Sequence, residues 1–232
     1  MKKLVPLGLL SAILLAAVAV SSPTDVKAQG AGFVSSLLNR MERNRQSLKS
    51  LRASVDMVKY NAQIRDEEKR KGTVLYVPAA GKNAYVRVDW NYPQETLAVA
   101  DGQFVLFVPR LKMAYKGRAG QGGKNTKTSS ALEFMNMSRQ QLAARYNLEY
   151  MGEETLWGGV ATTHVKLVPK GGSNFKWAEA WIDAGGMPVQ TKVVERNDDS
   201  TTVRLTNMQR NAGISMDEFF LKLDSTIKIV PA

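Results

Sequence analysis

Residues 95–115, ETLAVADGQFVLFVPRLKMAY, decide how this chain is read. Asp101-Gly102 is a hairpin dipeptide set between two runs of strand-forming residues. The second run, Phe104-Val105-Leu106-Phe107-Val108, is apolar at every position. A half-buried antiparallel strand alternates apolar and polar residues. Both faces of this strand therefore need cover, and the run by itself leaves open what covers the second.

Working outward, the period of two continues on both sides. Strands are expected over 53–66, 71–81, 83–93, 95–102 and 103–115, a meander of five. Upstream, residues 31–52 carry Phe33, Leu37, Leu38, Met41 and Leu48 roughly on one helical face. Downstream, 116–130 is a Gly- and Lys-rich loop. A second helix follows over 131–146, with Leu132, Met135, Leu142 and Tyr146 near one stripe and Phe134 and Met137 beside it. Strands return at 147–158, 159–170, 175–186, 188–198 and 201–211. The segment SMDEFFLKL reads as a short helix or turn, and TIKIVP as a last strand. The fold class is mainly β (α+β), with about eleven antiparallel strands and two helices. A sheet of that size curls. Two helices rising ~1.5 Å per residue cover only part of its concave side.

The chain has 232 residues and no cysteine, which excludes disulfides, thiol chemistry and an acylated N-terminal cysteine. Residues 1–28 read as a cleaved signal peptide. Lys2 and Lys3 precede an apolar run from Leu4 to Val20, and Val26-Lys27-Ala28 supplies the small residues of a cleavage site. The remaining residues, 29–232, suit one domain. The formal charge is +11, a balance that favours anionic partners such as phospholipid or glycolipid surfaces. An export signal takes the chain away from nucleic acid.

Catalytic constellations are missing. His164 is the only histidine and is expected as a rim or surface residue. Neither a metal site nor a Ser-His-Asp triad can be assembled around it from the motifs present. The acidic residues fall mostly in RDEEKR, MGEE and NDD, which read as solvated turns. GQGGKNT fails the spacing of a phosphate-binding loop, because Arg118 stands where the first Gly belongs and Asn125 follows Lys124. No enzyme activity and no cofactor is expected.

The order of segments resembles the periplasmic outer-membrane lipoprotein carriers, the LolA-like family. The resemblance is carried by GTVLYV, YVRVDWNYPQETLAVADGQFVLFVP, GEETLWGGVATTHVKLVPK, AEAWIDAGGMPVQTKVVERND and VRLTNMQRNAGISMDEFF in succession. It implies an unclosed antiparallel β-barrel lidded by helices, whose hollow takes the acyl chains of lipoproteins. It also implies an inner-membrane donor complex, an outer-membrane acceptor and a periplasmic monomer. The expected lining is Val74, Tyr76, Val86, Val88, Trp90, Leu97, Phe104, Leu106, Val165, Leu167, Trp177 and Trp181, with Phe134, Met135 and Leu142 from the lid. The family often has an arginine that closes the lid. Counting back from Pro93 places Lys82 there, and Arg87 is a second candidate. Two other readings stand beside the lipoprotein carrier: a carrier or sensor of another, anionic glyco- or phospholipid, and a periplasmic protein-interaction module.

Overall fold

The computed structural model describes residues 26–79, 84–119, 137–173 and 175–232, with side chains from residue 32 onward. Most of the expected signal peptide, residues 120–130 of the Gly/Lys-rich loop, and Lys82, Phe134 and Met135 lie outside the described residues, whereas residues 116–118 of that loop belong to a strand. Helix α1 is Val26–Ser47 and helix α2 is Arg139–Arg145. The strands are β1 (Leu51–Asn61), β2 (Asp66–Val77), β3 (Tyr85–Trp90), β4 (Glu95–Ala100), β5 (Gln103–Val108) and β6 (Met113–Arg118). They continue as β7 (Tyr146–Leu156), β8 (Val160–Pro169), β9 (Phe175–Asp183), β10 (Pro188–Glu195), β11 (Ser200–Arg210) and β12 (Lys228–Pro231).

All twelve strands form one mainly antiparallel sheet in the order β12-β6-β5-β4-β3-β2-β1-β11-β10-β9-β8-β7. Among the described residues it does not close on itself, and β12 and β7 are its edge strands. The two halves of the chain meet where β1 pairs with β11, from Leu51 opposite Arg210 to Tyr60 opposite Ser200.

Three expectations need correction. The first helix ends at Ser47, not at residue 52. Leu51, Ala53, Val55 and Met57 alternate, and pairing on both sides of β1 outweighs the helical spacing that includes Leu48. The run 103–115 is two strands, because Pro109 cannot donate to a ladder. A 3-10 turn, Pro109–Leu111, reverses the chain there, which raises the count from eleven to twelve among the described residues. Finally, β12 runs parallel to β6, with Lys228 opposite Met113. The expected hairpin at Asp101-Gly102 is present, with φ of 50° and 75°, the left-handed pair that this turn type demands.

The chain between β11 and β12 crosses the sheet on the face that carries Tyr85 and Arg87. Phe219, 1 % exposed, lies 5.7 Å from the Tyr85 ring. That path answers the question posed by the all-apolar strand. Phe104, Leu106 and Val108 are buried on the helix side, so Val105 and Phe107 turn to the face that the C-terminal segment crosses, and are half-buried there. Ala98, the cross-strand partner of Val105, is 3 % exposed on that same face. The second apolar face is thus covered from outside by chain, and not by the lidded hollow.

Candidate functional site

Strand register decides which side chains share a face. Ala53, Val74, Val88, Leu97 and Leu106 stand opposite one another in turn across five strands. Leu51, Tyr76, Val86, Val99 and Phe104 form the next rung of the same face. Directly opposed apolar pairs are the stabilising unit of a sheet, and here they run without a polar interruption. Across β11 the face continues through Met57, Val203, Thr191, Ala180 and Val165. Burial pushes the Tyr76 hydroxyl up from its ordinary value, consistent with its place in this apolar wall.

The helices sit on this face. Leu37, Leu38 and Met41 of α1 form one buried cluster with Leu142 of α2 and with Val165, Leu167, Ala178, Ala180 and Ile182 of the sheet. Leu48, just past α1, joins the larger cluster over β1–β5. A capping box fixes the start of α2: Ser138 Oγ accepts the Gln141 N–H at 3.2 Å and Gln141 Oε1 accepts the Ser138 N–H at 2.8 Å. Glu42 of α1 accepts from Arg45 Nη2 at 2.6 Å and from the Arg139 backbone N–H at 3.0 Å. The Arg45 guanidinium hydrogen-bonded to it lowers the Glu42 pKa to about 2.

Ten of the expected sheet residues therefore lie together on the helix side: Val74, Tyr76, Val86, Val88, Trp90, Leu97, Phe104, Leu106, Val165 and Leu167. Leu142 faces them from α2. Trp177 does not join them, and Trp181, which belongs to the same buried cluster as eight of them, projects from the other side of β9. Alternation from Ala178 and Ala180 turns both to the opposite face, where Trp181 Nε1 donates to Glu154 at 2.7 Å and Trp177 Nε1 donates to Glu179 at 3.1 Å. On that face His164 stacks on Trp181 at 4.2 Å and 12°, between Glu154 at 3.4 Å and Glu179 at 3.3 Å. It is a part-buried member of a cluster, not the rim residue expected.

Arg87 is also corrected. Its Nη1 donates to the Glu218 carbonyl at 2.9 Å and its Nε to Asp89 at 2.8 Å. It holds the C-terminal segment on the face away from the helices. Polar links between α1 and the sheet are made by Arg210 of β11, whose Nη1 donates to Asn44 Oδ1 at 3.4 Å, and by Arg40 of α1, whose Nη2 donates to Thr163 Oγ1 at 3.2 Å while its buried Nε has no partner among the described residues. The sequence held a signal for this: Arg40 interrupts the apolar stripe of Leu37, Met41 and Leu48.

Among the described residues no group of three or more His, Asp or Glu could hold a metal ion, and no helix is long and apolar enough to cross a membrane. Two surface hollows of about 380 and 390 Å³ lie at other places, beside Lys116 and Arg118 and beside Lys176 and Arg196. Neither is lined by the apolar rungs.

An open antiparallel sheet with two helices on one apolar face matches what the family comparison returns. The family model of the outer membrane lipoprotein carrier protein LolA matches residues 47–222. The chain belongs to the LolA family. The part matched to LolA runs from the last residue of α1 through β11 and includes α2. An uncharacterized conserved protein from Thermus thermophilus is similar at 13% identity and TM-score 0.54, covering 86% of this chain and 99% of that one. LprF from Mycobacterium bovis gives 13% identity, TM-score 0.49 and coverage of 81% and 97%. A LolA superfamily protein from Nitrosomonas europaea gives 10% identity, TM-score 0.42 and coverage of 81% and 97%. At 13% identity the likeness to the Thermus thermophilus protein is one of fold. No curated protein matches the sequence.

Proposed function

We propose that this LolA-family protein carries acyl chains through an aqueous compartment, holding them between the apolar rungs of the sheet and the two helices. The observation that carries the reading is the unbroken row Ala53–Val74–Val88–Leu97–Leu106, which lies on the same sheet face that the two helices cover over β8 and β9. Hydrocarbon exposed to water costs ~0.8 kcal/mol per CH₂, so a diacyl or triacyl cargo needs such a wall to travel. Beside the apolar cluster, polar contacts join the helices to the sheet at Arg40–Thr163, Arg210–Asn44 and Lys170–Ala143. A lid held mainly by apolar contact can exchange those contacts for a hydrocarbon chain at little net cost.

In the full reading, residues 1–28 are removed on export and residues 29–232 act as a single monomeric domain in the periplasm. An inner-membrane donor complex loads acylated lipoproteins and an outer-membrane acceptor unloads them. The protein performs no chemistry of its own. The net charge of +11 favours a second reading, in which the cargo is another, anionic lipid.

Native protein extracted with organic solvent and analysed by mass spectrometry tests both readings. Triacylated peptides are the expected cargo under the first, and acidic phospho- or glycolipids under the second. Protein that yields no lipid and takes up no fluorescent acyl probe is not a carrier.

A further inference from the structure

The turns β3–β4 and β5–β6 leave the sheet side by side. Trp90 is opposite Glu95, Thr96 opposite Phe107, and Val108 opposite Met113, so residues 91–94 and 109–112 project at one corner. There the usual ordering is inverted. Tyr92 is 84 % exposed and Leu111 49 %, and between and beside them stand the exposed cations Arg110 and Lys112. Lys228 joins them, because its N–H donates to the Lys112 carbonyl at 2.9 Å. Among the described residues none of these three cations takes part in an ion pair. Asp224, the acid that faces Lys112, is already hydrogen-bonded by the Thr226 N–H at 2.8 Å. The presentation is fixed, since the Lys112 N–H closes the 3-10 turn on the Pro109 carbonyl at 2.9 Å.

We propose that this corner docks on an anionic phospholipid bilayer, with the Tyr92 and Leu111 side chains entering the headgroup layer and Arg110, Lys112 and Lys228 lying against lipid phosphates. A tyrosine ring with an apolar body and polar tip suits that depth. Basic side chains close to the surface add attraction that fades with salt. Two narrow, projecting tips give too little flat area for a stable protein interface, which needs roughly 800 Å² from each partner. A deformable headgroup layer accepts them. The inference goes beyond the carrier reading, because a carrier can exchange cargo with protein partners alone and never touch lipid.

Sedimentation with vesicles tests it. The protein should bind vesicles of phosphatidylcholine doped with phosphatidylglycerol more tightly than pure phosphatidylcholine, and raised salt should release it. The double variant Arg110→Glu/Lys112→Glu should bind at least about tenfold more weakly to the anionic vesicles. Tyr92→Ser/Leu111→Ser should lose binding as well. Wild-type protein that stays in the supernatant, equal binding to both vesicle types, or either variant sedimenting like wild type overturns the proposal. Uptake of a fluorescent acyl probe, measured on the same samples, separates the two ideas. Variants that still take up probe but no longer sediment support the docking corner. Wild type that sediments but takes up no probe removes the carrier reading and leaves the corner standing.

Discussion

The backbone N–H of Arg139, the first residue of α2, donates to Glu42 Oε2 of α1 at 3.0 Å. The Arg139 guanidinium reaches back to Asn39 Oδ1 at 2.6 Å. The two helices that cover the apolar face are thereby tied to each other by polar contacts, while they meet the sheet mainly through apolar ones. Any opening of the lid should move α1 and α2 together.

Glu42 makes this tie sensitive to acid. Its folded pKa of about 2 lies below the ordinary 4.5, so its contribution is complete above pH 4.5 and is lost as pH falls toward 2. Wild type should unfold at a higher temperature than Glu42→Gln at pH 7. The gap should narrow through that window and vanish at its lower end. A gap that is constant with pH would show that the carboxylate charge plays no part.

Gly186 brings the β9–β10 turn against α1. Its φ is +87° and an added Cβ would stand 2.3 Å from the Arg40 carbonyl oxygen. Gly186→Ala meets both a backbone penalty and a collision with helix backbone, so it should cost well over ~1 kcal/mol. Denaturant titration would measure this. Hydrogen exchange should localise the loosening to α1.

Arg87→Met removes the donor that holds Glu218 and leaves that carbonyl and Asp89 to find other partners. A hydrogen bond to a charged group contributes about 1.5–3 kcal/mol, and a loss of that order is expected. Limited proteolysis should cut the chain after residue 211 faster than in wild type. An unchanged digestion pattern would count against the clamp.

His164→Ala should lower stability by about 0.5–1.5 kcal/mol, the scale of a stacked ring pair, and leave acyl-probe uptake unchanged. The ring lies on the face opposite the helices. Reduced uptake with intact stability would place this cluster in the carrier function after all.

Leu97→Ala removes side-chain volume from the middle of the apolar rungs and should cost about 2–5 kcal/mol in lipid-free protein. A bound acyl chain should recover part of that loss, because it can fill the vacated space. Thermal unfolding with and without a fatty-acyl probe measures the recovery. No recovery would mean that hydrocarbon does not reach Leu97.

Much of the architecture was legible in the residues alone. Strand alternation, the Asp101-Gly102 hairpin and two amphipathic stretches required a large curled sheet with helices on one side, since each pattern has a single local solution. The parity of the apolar strands was not legible. In Phe104–Val108 both faces are apolar, so alternation cannot say which one meets the helices. Tertiary packing broke that symmetry: α1 took the side of Phe104, Leu106 and Val108, and the C-terminal segment, returning from β11 to pair with β6, took the side of Val105 and Phe107. The same choice turned Trp177 and Arg87 away from the helices and made Arg40 a polar link between α1 and the sheet. A sequence encodes the periods of its elements, but which face becomes the interior depends on contacts between segments far apart along the chain.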